Sequence, residues 1–381
     1  MKFHEIANMF PLMEETEFNA LVADIKKNGL LEPIWVYEDK ILDGRNRYRA
    51  CQTADIKPQF MKYTKDNPLQ FVVSKNLYRR HLNESQRAVI AAKVANMPPG
   101  TRTDLQPSAN LRKVVSQPEA AKIFNVSKRT IQSIKTVERE APELIPEIES
   151  GNITTHQAIK KVKTKKREEE RKKLAQSGEN IQPMNKWNVY HDNIETIELT
   201  KQYDFIITDP PYPKEFLPLW EILAKRAKKW LKPEGLLVAM SGQLYLSQII
   251  EMFNQHLTYY WTACYLTPGQ PTPLRTRQVN TTWKPVLIYG LTNKYKGKIF
   301  GDVYKSPKSE KNNHDWEQNV EGMYSLMKQI CLQGQSILDP FCGSGSTGVA
   351  ALQHGCFFDG IDIDIDSVNI TKRRLHDTKK I

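Results

Sequence analysis

The sequence predicts an α/β protein preceded by two smaller modules, one α+β and one all-helical. Three observations carry that expectation. From about residue 186 onward, apolar strand-like runs alternate with helical patterns, the signature of a parallel sheet. Two of those runs end in turn-forming motifs. Phe205-Ile206-Ile207 leads into Asp209-Pro210-Pro211-Tyr212, and Ser336-Ile337-Leu338 leads into Asp339-Pro340-Phe341-Cys342-Gly343-Ser344-Gly345-Ser346-Thr347-Gly348. Residues 1–80 mix short strands and helices, whereas 81–165 read as almost wholly helical. At 381 residues, 40% hydrophobic and 26% charged, the chain is long enough for two or three folded domains.

A net charge of +12 favours a polyanionic partner, nucleic acid first. Cys51, Cys264, Cys331, Cys342 and Cys356 are scattered with no C-x-x-C pair, so neither a metal site nor a redox pair is expected. The start, Met1-Lys2-Phe3-His4-Glu5, lacks a signal-peptide pattern, and no apolar run is long enough for a bilayer. A cytoplasmic protein with no membrane partner is the expectation.

In the first module, Ile41-Leu42-Asp43-Gly44-Arg45-Asn46-Arg47-Tyr48-Arg49-Ala50 reads as a strand, a tight turn and a basic helix, followed later by Lys75-Asn76-Leu77-Tyr78-Arg79-Arg80. Both stretches resemble the N-terminal domain of ParB-type partition proteins, in which they surround a nucleoside triphosphate. The resemblance implies CTP or ATP here. Arg45-Asn46 nevertheless replaces the family's Glu-Arg, and Lys75 replaces a metal-associated glutamate. A nucleotide site and a plain folded docking module both remain open readings.

In the second module, a Pro/Asn/Ser-rich loop is expected from Met97-Pro98-Pro99-Gly100-Thr101 to about Leu111. Ser116 and Glu119 form a capping box, and Ala120, Ala121, Ile123 and Phe124 are assigned to a core. Asn125-Val126 turns the chain and Ser127 caps a second helix, whose Ile131 and Ile134 face inward. Lys128, Arg129, Thr130, Gln132 and Ser133 are left pointing outward near its N-terminus, as in a helix-turn-helix entering a major groove. The stretch from Pro142 to Ala158 resembles the helical region that follows in ParB proteins. A charged run, Lys160 to Lys173, and the polar Gln176-Ser177-Gly178-Glu179-Asn180 read as an exposed helix and a linker over residues 166–185.

In the third module, Gly343, Gly345 and Gly348 satisfy G-x-G-x-x-G between a strand and a helix, and Asp362 lies about 20 positions on, where ribose hydroxyls bind. Glycine lets the backbone approach a ligand closely. Alone, this pattern also fits a nicotinamide dehydrogenase. Two features favour S-adenosylmethionine: Asp339 and Phe341 suit a ligand carrying an amine, and Asp-Pro-Pro-Tyr has no role in hydride transfer. An exocyclic base amine is a poor nucleophile because its lone pair is delocalised into the ring. The Asp209 carboxylate and the Pro210 carbonyl form a pair of acceptors that can draw the amine out of conjugation. Pro210 and Pro211 stiffen the backbone, and Tyr212 offers a stacking face. Direct in-line displacement needs no covalent intermediate, so Cys342 is not assigned as a nucleophile.

The two motifs together resemble the amino-methyltransferases that modify adenine N6 or cytosine N4 in DNA. Asp-Pro-Pro-Tyr precedes the glycine loop, the order of the family's beta class. The resemblance covers about residues 186–381 and implies a Rossmann-like S-adenosylmethionine-dependent domain acting on a flipped base of double-stranded DNA. It further implies that Asp192, in Trp187-Asn188-Val189-Tyr190-His191-Asp192-Asn193, binds the adenine end of the cofactor, with a helix N-cap as the other reading. Ser344, Ser346 and Thr347 are placed in the cofactor loop. Tyr259 to Lys296 resembles the target-recognition segment, with Trp261, Tyr265, Arg275, Arg277, Gln278, Asn280, Trp283 and Lys284. Trp230 to Met240 resembles the helix, turn and strand after the catalytic loop. His314-Asp315-Trp316-Glu317-Gln318 stands where the family carries a histidine and a Lys-Pro pair, and departs from it at Gln318-Asn319. Aspartate at position 209 leans toward adenine N6. Cytosine N4, an inactive methyltransferase half on a DNA-binding regulator, and RNA as substrate are the rivals. A second copy of the chain is a further candidate partner.

Overall fold

A computed structural model of the chain describes residues 1–77, 82–95, 115–266, 271–305 and 320–378. The expected loop at 97–111, residues Tyr78 to Arg80 and the His314–Asn319 segment lie outside the described residues. The chain forms two compact units, Met1–Arg167 and Glu168–Ile381.

In the first unit, α1 (Glu5–Asn8) and α2 (Glu15–Asn28) precede β1 (Ile34–Tyr37), β2 (Lys40–Asp43), α3 (Arg45–Ala54), β3 (Phe60–Lys62) and α4 (Pro68–Leu77). Strands β1 and β2 pair antiparallel around Glu38 (φ 47°) and Asp39 (φ 56°), the two positive-φ positions of a tight hairpin turn. β3 adds in parallel to β1. Then come α5 (Glu84–Ala95), α6 (Gln117–Phe124), α7 (Lys128–Glu140), α8 (Ile145–Glu149) and α9 (Thr155–Gly178). Phe10, Leu42 and Val72 share one buried cluster with Ala88, Phe124, Ile131 and Ala158, so the division expected near residue 80 runs through a continuous core.

The capping box of Ser116 with Glu119 is formed, Asn125 takes the left-handed conformation (φ 51°), and Ser127 Oγ accepts from Thr130 N at 3.0 Å. Two helices joined by a tight turn result, with Ile131, Ile134 and Val137 buried on α7. Ile123, assigned to the core by its spacing, is 38% exposed. Ala120, Ala121 and Phe124 share the buried face of α6, and Ile123, about 200° round the helix from Ala121, falls on the outer side.

The run read as a linker is helical as far as Gly178, where α9 ends. A Cβ on Gly178 would lie 1.9 Å from the Asn369 carbonyl oxygen, so this glycine marks close backbone packing rather than a free hinge. Arg171 pairs with Asp364, and with Asp366 at 3.0 Å.

The second unit contains β4 (Trp187–His191), β5 (Tyr203–Thr208), α10 (Leu217–Trp230), β6 (Leu231–Met240), α11 (Leu246–Asn254), β7 (Thr258–Leu266), β8 (Thr272–Leu274), β9 (Val279–Thr281), β10 (Trp283–Gly290), β11 (Val303–Lys305), α12 (Val320–Ile330), β12 (Ser336–Asp339), α13 (Ser346–His354), β13 (Phe357–Asp362) and α14 (Ile365–Thr378). Eight strands form one sheet in the order β11-β7-β10-β6-β5-β12-β13-β4. The sheet is mixed rather than purely parallel. β4, β13, β12, β5 and β6 run together, and β10 is reversed between β6 and β7. Among the described residues the connection from β7 to β10 carries the small β8–β9 hairpin and no helix, and β10 pairs antiparallel with β7. The turn expected within Trp230 to Met240 is a register shift inside β6: Tyr203 pairs with Leu231, but Phe205 pairs with Leu236.

Alternation along the strands covers both faces. Phe205, Ile207, Leu236, Val238, Val286 and Ile288 pack with α12, α13 and α14. Ile206, Leu237, Ala239, Leu287 and Tyr289 pack with Trp220, Leu223 and Ala227 of α10 and Phe253 of α11. A sheet buried on both faces explains why these strands read as continuous apolar runs. β5 leads through α10 to one side and β12 leads through α13 to the other. Their carboxyl ends therefore flank a topological switch point, where open α/β sheets bind ligands.

Candidate active site

The two motifs meet at that switch point. Thr208 Oγ1, the last side chain of β5, donates to Asp339 Oδ1 of β12 at 2.7 Å, with both residues buried. Thr208 was not singled out from sequence; a polar residue closing an apolar strand was the available signal.

Asp339 is 2% exposed. Its Oδ1 also accepts from Phe341 N at 3.1 Å, and Thr347, itself buried, hydrogen-bonds the carboxyl. No cation pairs with it among the described residues. Burial pushes its pKa from 3.8 up to about 6, against the hydrogen bonds from Thr347, Thr208 and Phe341. A buried carboxyl without a countercharge suits a cationic ligand.

Beyond it the glycine turn is built as its pattern requires. Gly343 (φ 51°) and Gly345 (φ 81°) occupy the left-handed region. A Cβ added at Gly343 would meet no atom within 4 Å, so the turn faces open space. Gly343 N donates to Asp362 Oδ2 at 2.8 Å, and Thr371 Oγ1 donates to Gly343 O at 2.8 Å. At Gly348 a Cβ would come 2.6 Å from Phe358 Cε1, so this glycine serves helix-on-strand packing.

The expected cofactor residues divide on inspection. Asp362 shares its carboxylate between Gly343 N and Asp364 N (2.9 Å), which fixes the turn while each oxygen can still accept a further bond. Asp192 Oδ1 accepts from Asn193 N at 2.7 Å and from Thr196 Oγ1 at 3.2 Å within a turn between β4 and β5; no helix begins there, so these bonds are not the helix N-cap of the other reading. Its backbone N–H bonds Asp362 O at 3.1 Å, so the ends of β4 and β13 are adjacent. Ser344 and Ser346 are turned to Arg374 of α14, at 3.2 and 3.3 Å from Nη1. Arg374 and Thr371 brace the loop from 28 residues or more away, a relation no local pattern announces. Cys342 is buried and its thiol is pushed well up by burial, so it is no nucleophile.

At the end of β5, Asp209 has a side chain 42% exposed and Pro210 is buried. Trp220 Nε1 donates to Pro211 O at 3.3 Å, while no hydrogen bond to the Pro210 carbonyl occurs among the described residues. Pro211 is thus anchored and Pro210 O is left as an acceptor. Tyr212 hydroxyl donates to Asp209 Oδ1, and burial, then the Asp209 carboxylate, raises its pKa, so it stays a donor. A Cβ on Gly242 would lie 3.4 Å from Tyr212 Cγ, in ordinary contact, so Gly242 sits beside this ring.

Along the expected recognition segment, Arg275 and Arg277 are exposed in the turn of the β8–β9 hairpin, and Gln278 sits there at φ 52°. Trp283 is half-buried, and its carbonyl accepts from Gln243 Nε2 at 3.4 Å and from Thr281 Oγ1 at 3.0 Å. Trp261 is 50% exposed, but Tyr265 is 3% exposed and belongs to the core, because alternation on β7 turns it inward.

In the first unit Lys128, Arg129 and Gln132 are exposed on α7 and Ser133 is half-buried. The hydroxyl of Thr130 is taken up by Ser127 at 2.7 Å and by Glu84 at 3.3 Å. A separate cavity of about 290 Å³ is lined by Phe10, Asp43, Arg45, Asn46, Arg47 and Lys75 among others. Its arginines are internally bound, Arg45 to Asn8 Oδ1 at 2.9 Å and Arg47 to Asp43 at 2.9 Å. Among the described residues no group of three or more His, Cys, Asp or Glu is placed to hold a metal ion, and no helix is long and apolar enough to cross a membrane.

"Putative methylase YubD" of Escherichia coli (strain K12) is 26% identical over 182 residues, covering 42% of this chain and 76% of that protein. Among solved structures, the complex of M1.HpyAVI with SAM has a TM-score of 0.42 at 24% identity, over 50% of this chain and 98% of that one. The cytosine-N4-specific PvuII DNA methyltransferase has a TM-score of 0.41 at 14% identity, over 52% and 93%. The N6/N4 family described as DNA methylase matches residues 59–373. A match across that much of the sequence means that this chain belongs to the N6/N4 DNA methylase family.

Proposed function

We propose that this chain is a DNA methyltransferase that uses S-adenosylmethionine to methylate the exocyclic N6 of adenine in double-stranded DNA after flipping the base. The observation that carries the reading is the juxtaposition of the Asp209 carboxylate and the free Pro210 carbonyl with the glycine turn of β12, joined through Thr208 and Asp339. The residues fit the cofactor: Asp339 is an uncompensated buried carboxyl, and Gly343 opens on empty space. S-adenosylmethionine supplies an electrophilic methyl group on a sulfonium.

In this reading Asp339 balances the cofactor's positive charge and Asp362 accepts from its ribose. Asp209 and Pro210 O accept the two N–H bonds of the amine, pulling its lone pair out of the ring. Tyr212 stacks on the base and orients Asp209. Formation of the new N–C bond would break the donor's S–C bond and leave a neutral thioether, the Asp209 carboxylate would stabilise the resulting cationic amine, and the amine proton would pass to Asp209 and from there to water. Incubation of the chain with labelled S-adenosylmethionine and mixed unmodified DNA, followed by hydrolysis to nucleosides, tests this. N6-methyladenine supports it, N4-methylcytosine moves the substrate to the other base of the family, and no label removes the enzymatic reading. RNA in place of DNA is the control for the third rival.

Asp339 also makes apo stability depend on pH. Its folded pKa of about 6 lies above the ordinary 3.8, so the native state holds the proton more tightly. The associated stability is complete below about pH 4 and is lost as pH rises through about 6, a difference of about 3 kcal/mol. Asp339→Asn should therefore flatten that part of the apo stability curve and raise the melting temperature at pH 7, while abolishing cofactor binding. Thermal melts of both proteins from pH 4 to 8, with and without S-adenosylmethionine, check it.

Lys128, Arg129 and Gln132 of α7 are assigned to DNA. Arg129→Ala should weaken duplex binding and make log K against log salt shallower by about 0.9, the value of one lost phosphate contact. Fluorescence anisotropy across a salt series reads this directly. The cavity of the first unit is the place to look for CTP or ATP, and titration calorimetry with no heat from either nucleotide would discard that site.

A further inference from the structure

The end of β5 carries a contact that methyl transfer does not call for. Both Asp209 oxygens are engaged: Oδ1 by Tyr212 hydroxyl, and Oδ2 by Lys284 Nζ at 3.3 Å. The same ammonium stands 5.0 Å from the centroid of the Tyr212 ring. It therefore lies against the carboxylate and the aromatic ring assigned to the base. A fixed positive charge here opposes the charge that an amine acquires as it is methylated. With the base in place, Lys284 has to be elsewhere.

The surroundings supply a destination. Lys284 is 35% exposed and sits on a flexible four-carbon stem. It lies at the root of the β8–β9 hairpin, whose turn exposes Arg275 and Arg277. That root is bracketed by Gln243, whose Nε2 lies 3.5 Å from Thr281 Oγ1 and 3.4 Å from Trp283 O. Gly242, its chain neighbour, abuts Tyr212. Gln243 and Gly242 thus join the root of the hairpin to both partners of Asp209.

We propose that Lys284 is a positioning residue that masks Asp209 in the DNA-free protein and exchanges the carboxylate for a DNA phosphate when duplex is bound. The base-gripping acceptor is then uncovered only on DNA. The proposal rests on the methyl-transfer reading of Asp209, but its test reads binding, which does not need turnover.

The test is a double-mutant cycle in the full-length chain, by anisotropy of a fluorescein-labelled duplex over a salt series. K284M should make the slope of log K against log salt shallower by about 0.9, and K284R should retain it. D209N frees Lys284 and should tighten duplex binding by about 2- to 5-fold, the range of an exposed ion pair. In the K284M background D209N should bring less than half of that gain. An unchanged salt slope in K284M, an equal gain from D209N in both backgrounds, or no duplex binding by the wild type overturns the proposal. A wild type that binds duplex with this coupling yet incorporates no label leaves the exchange standing and rejects methyl transfer instead.

Discussion

Asp209→Ala is expected to lower methyl transfer by about 10²- to 10⁴-fold, the range seen when a positioned acceptor or proton-accepting group is removed. Binding of S-adenosylmethionine should persist, because Asp339 and the glycine turn belong to β12 and its loop. The fold should tolerate the change, since the Asp209 side chain is 42% exposed and its two bonds, to Tyr212 and Lys284, are at the surface. Single-turnover transfer together with calorimetry of cofactor binding separates the two effects. Activity within a few-fold of wild type would show that this carboxylate does not hold the amine.

Gly345→Val should remove cofactor binding and destabilise the unit at once. A β-branched residue at φ 81° is strained by about 1–2 kcal/mol. Its Cβ would also sit 2.7 Å from Thr371 Cγ2 and 2.8 Å from Oγ1, an overpacking worth about 1–3 kcal/mol. Thr371 in turn holds the Gly343 carbonyl, so displacing it loosens the neighbouring turn. Gly343→Ala is the informative partner. It too has positive φ, at 51°, but its Cβ enters open space. Gly343→Ala should therefore carry only the backbone strain of about 1–2 kcal/mol, melt above Gly345→Val though below wild type, and still bind S-adenosylmethionine poorly. Equal cofactor affinity in Gly343→Ala and wild type would mean that the open side of the turn is not the ligand's side.

Much of this arrangement was legible from residue order because it is local. The Ser116–Glu119 capping box, the left-handed Asn125 and the Ser127 cap follow from side chains within three residues of their targets. The glycine turn was legible because positive φ restricts the residue type. Burial was read less well wherever periodicity was taken for orientation. Ile123 has helical spacing but lies on the outer side of α6, and Tyr265 sits in a segment read as a surface although strand alternation points it inward.

Residue order by itself determined the strand ends, the chemistry proposed for each and the family to which they point. Tertiary structure decided which strand stands beside which. It set β5 against β12, tied Thr208 to Asp339 across 131 positions, reversed β10, and brought Lys284 to Asp209 across 75. It also turned Ser344 and Ser346 toward Arg374 rather than leaving them free. Hydrophobic periodicity states that a face is buried but not what covers it. Hydrogen bonds between distant residues exist only once the sheet has chosen its order, so they leave no mark on the pattern of either partner.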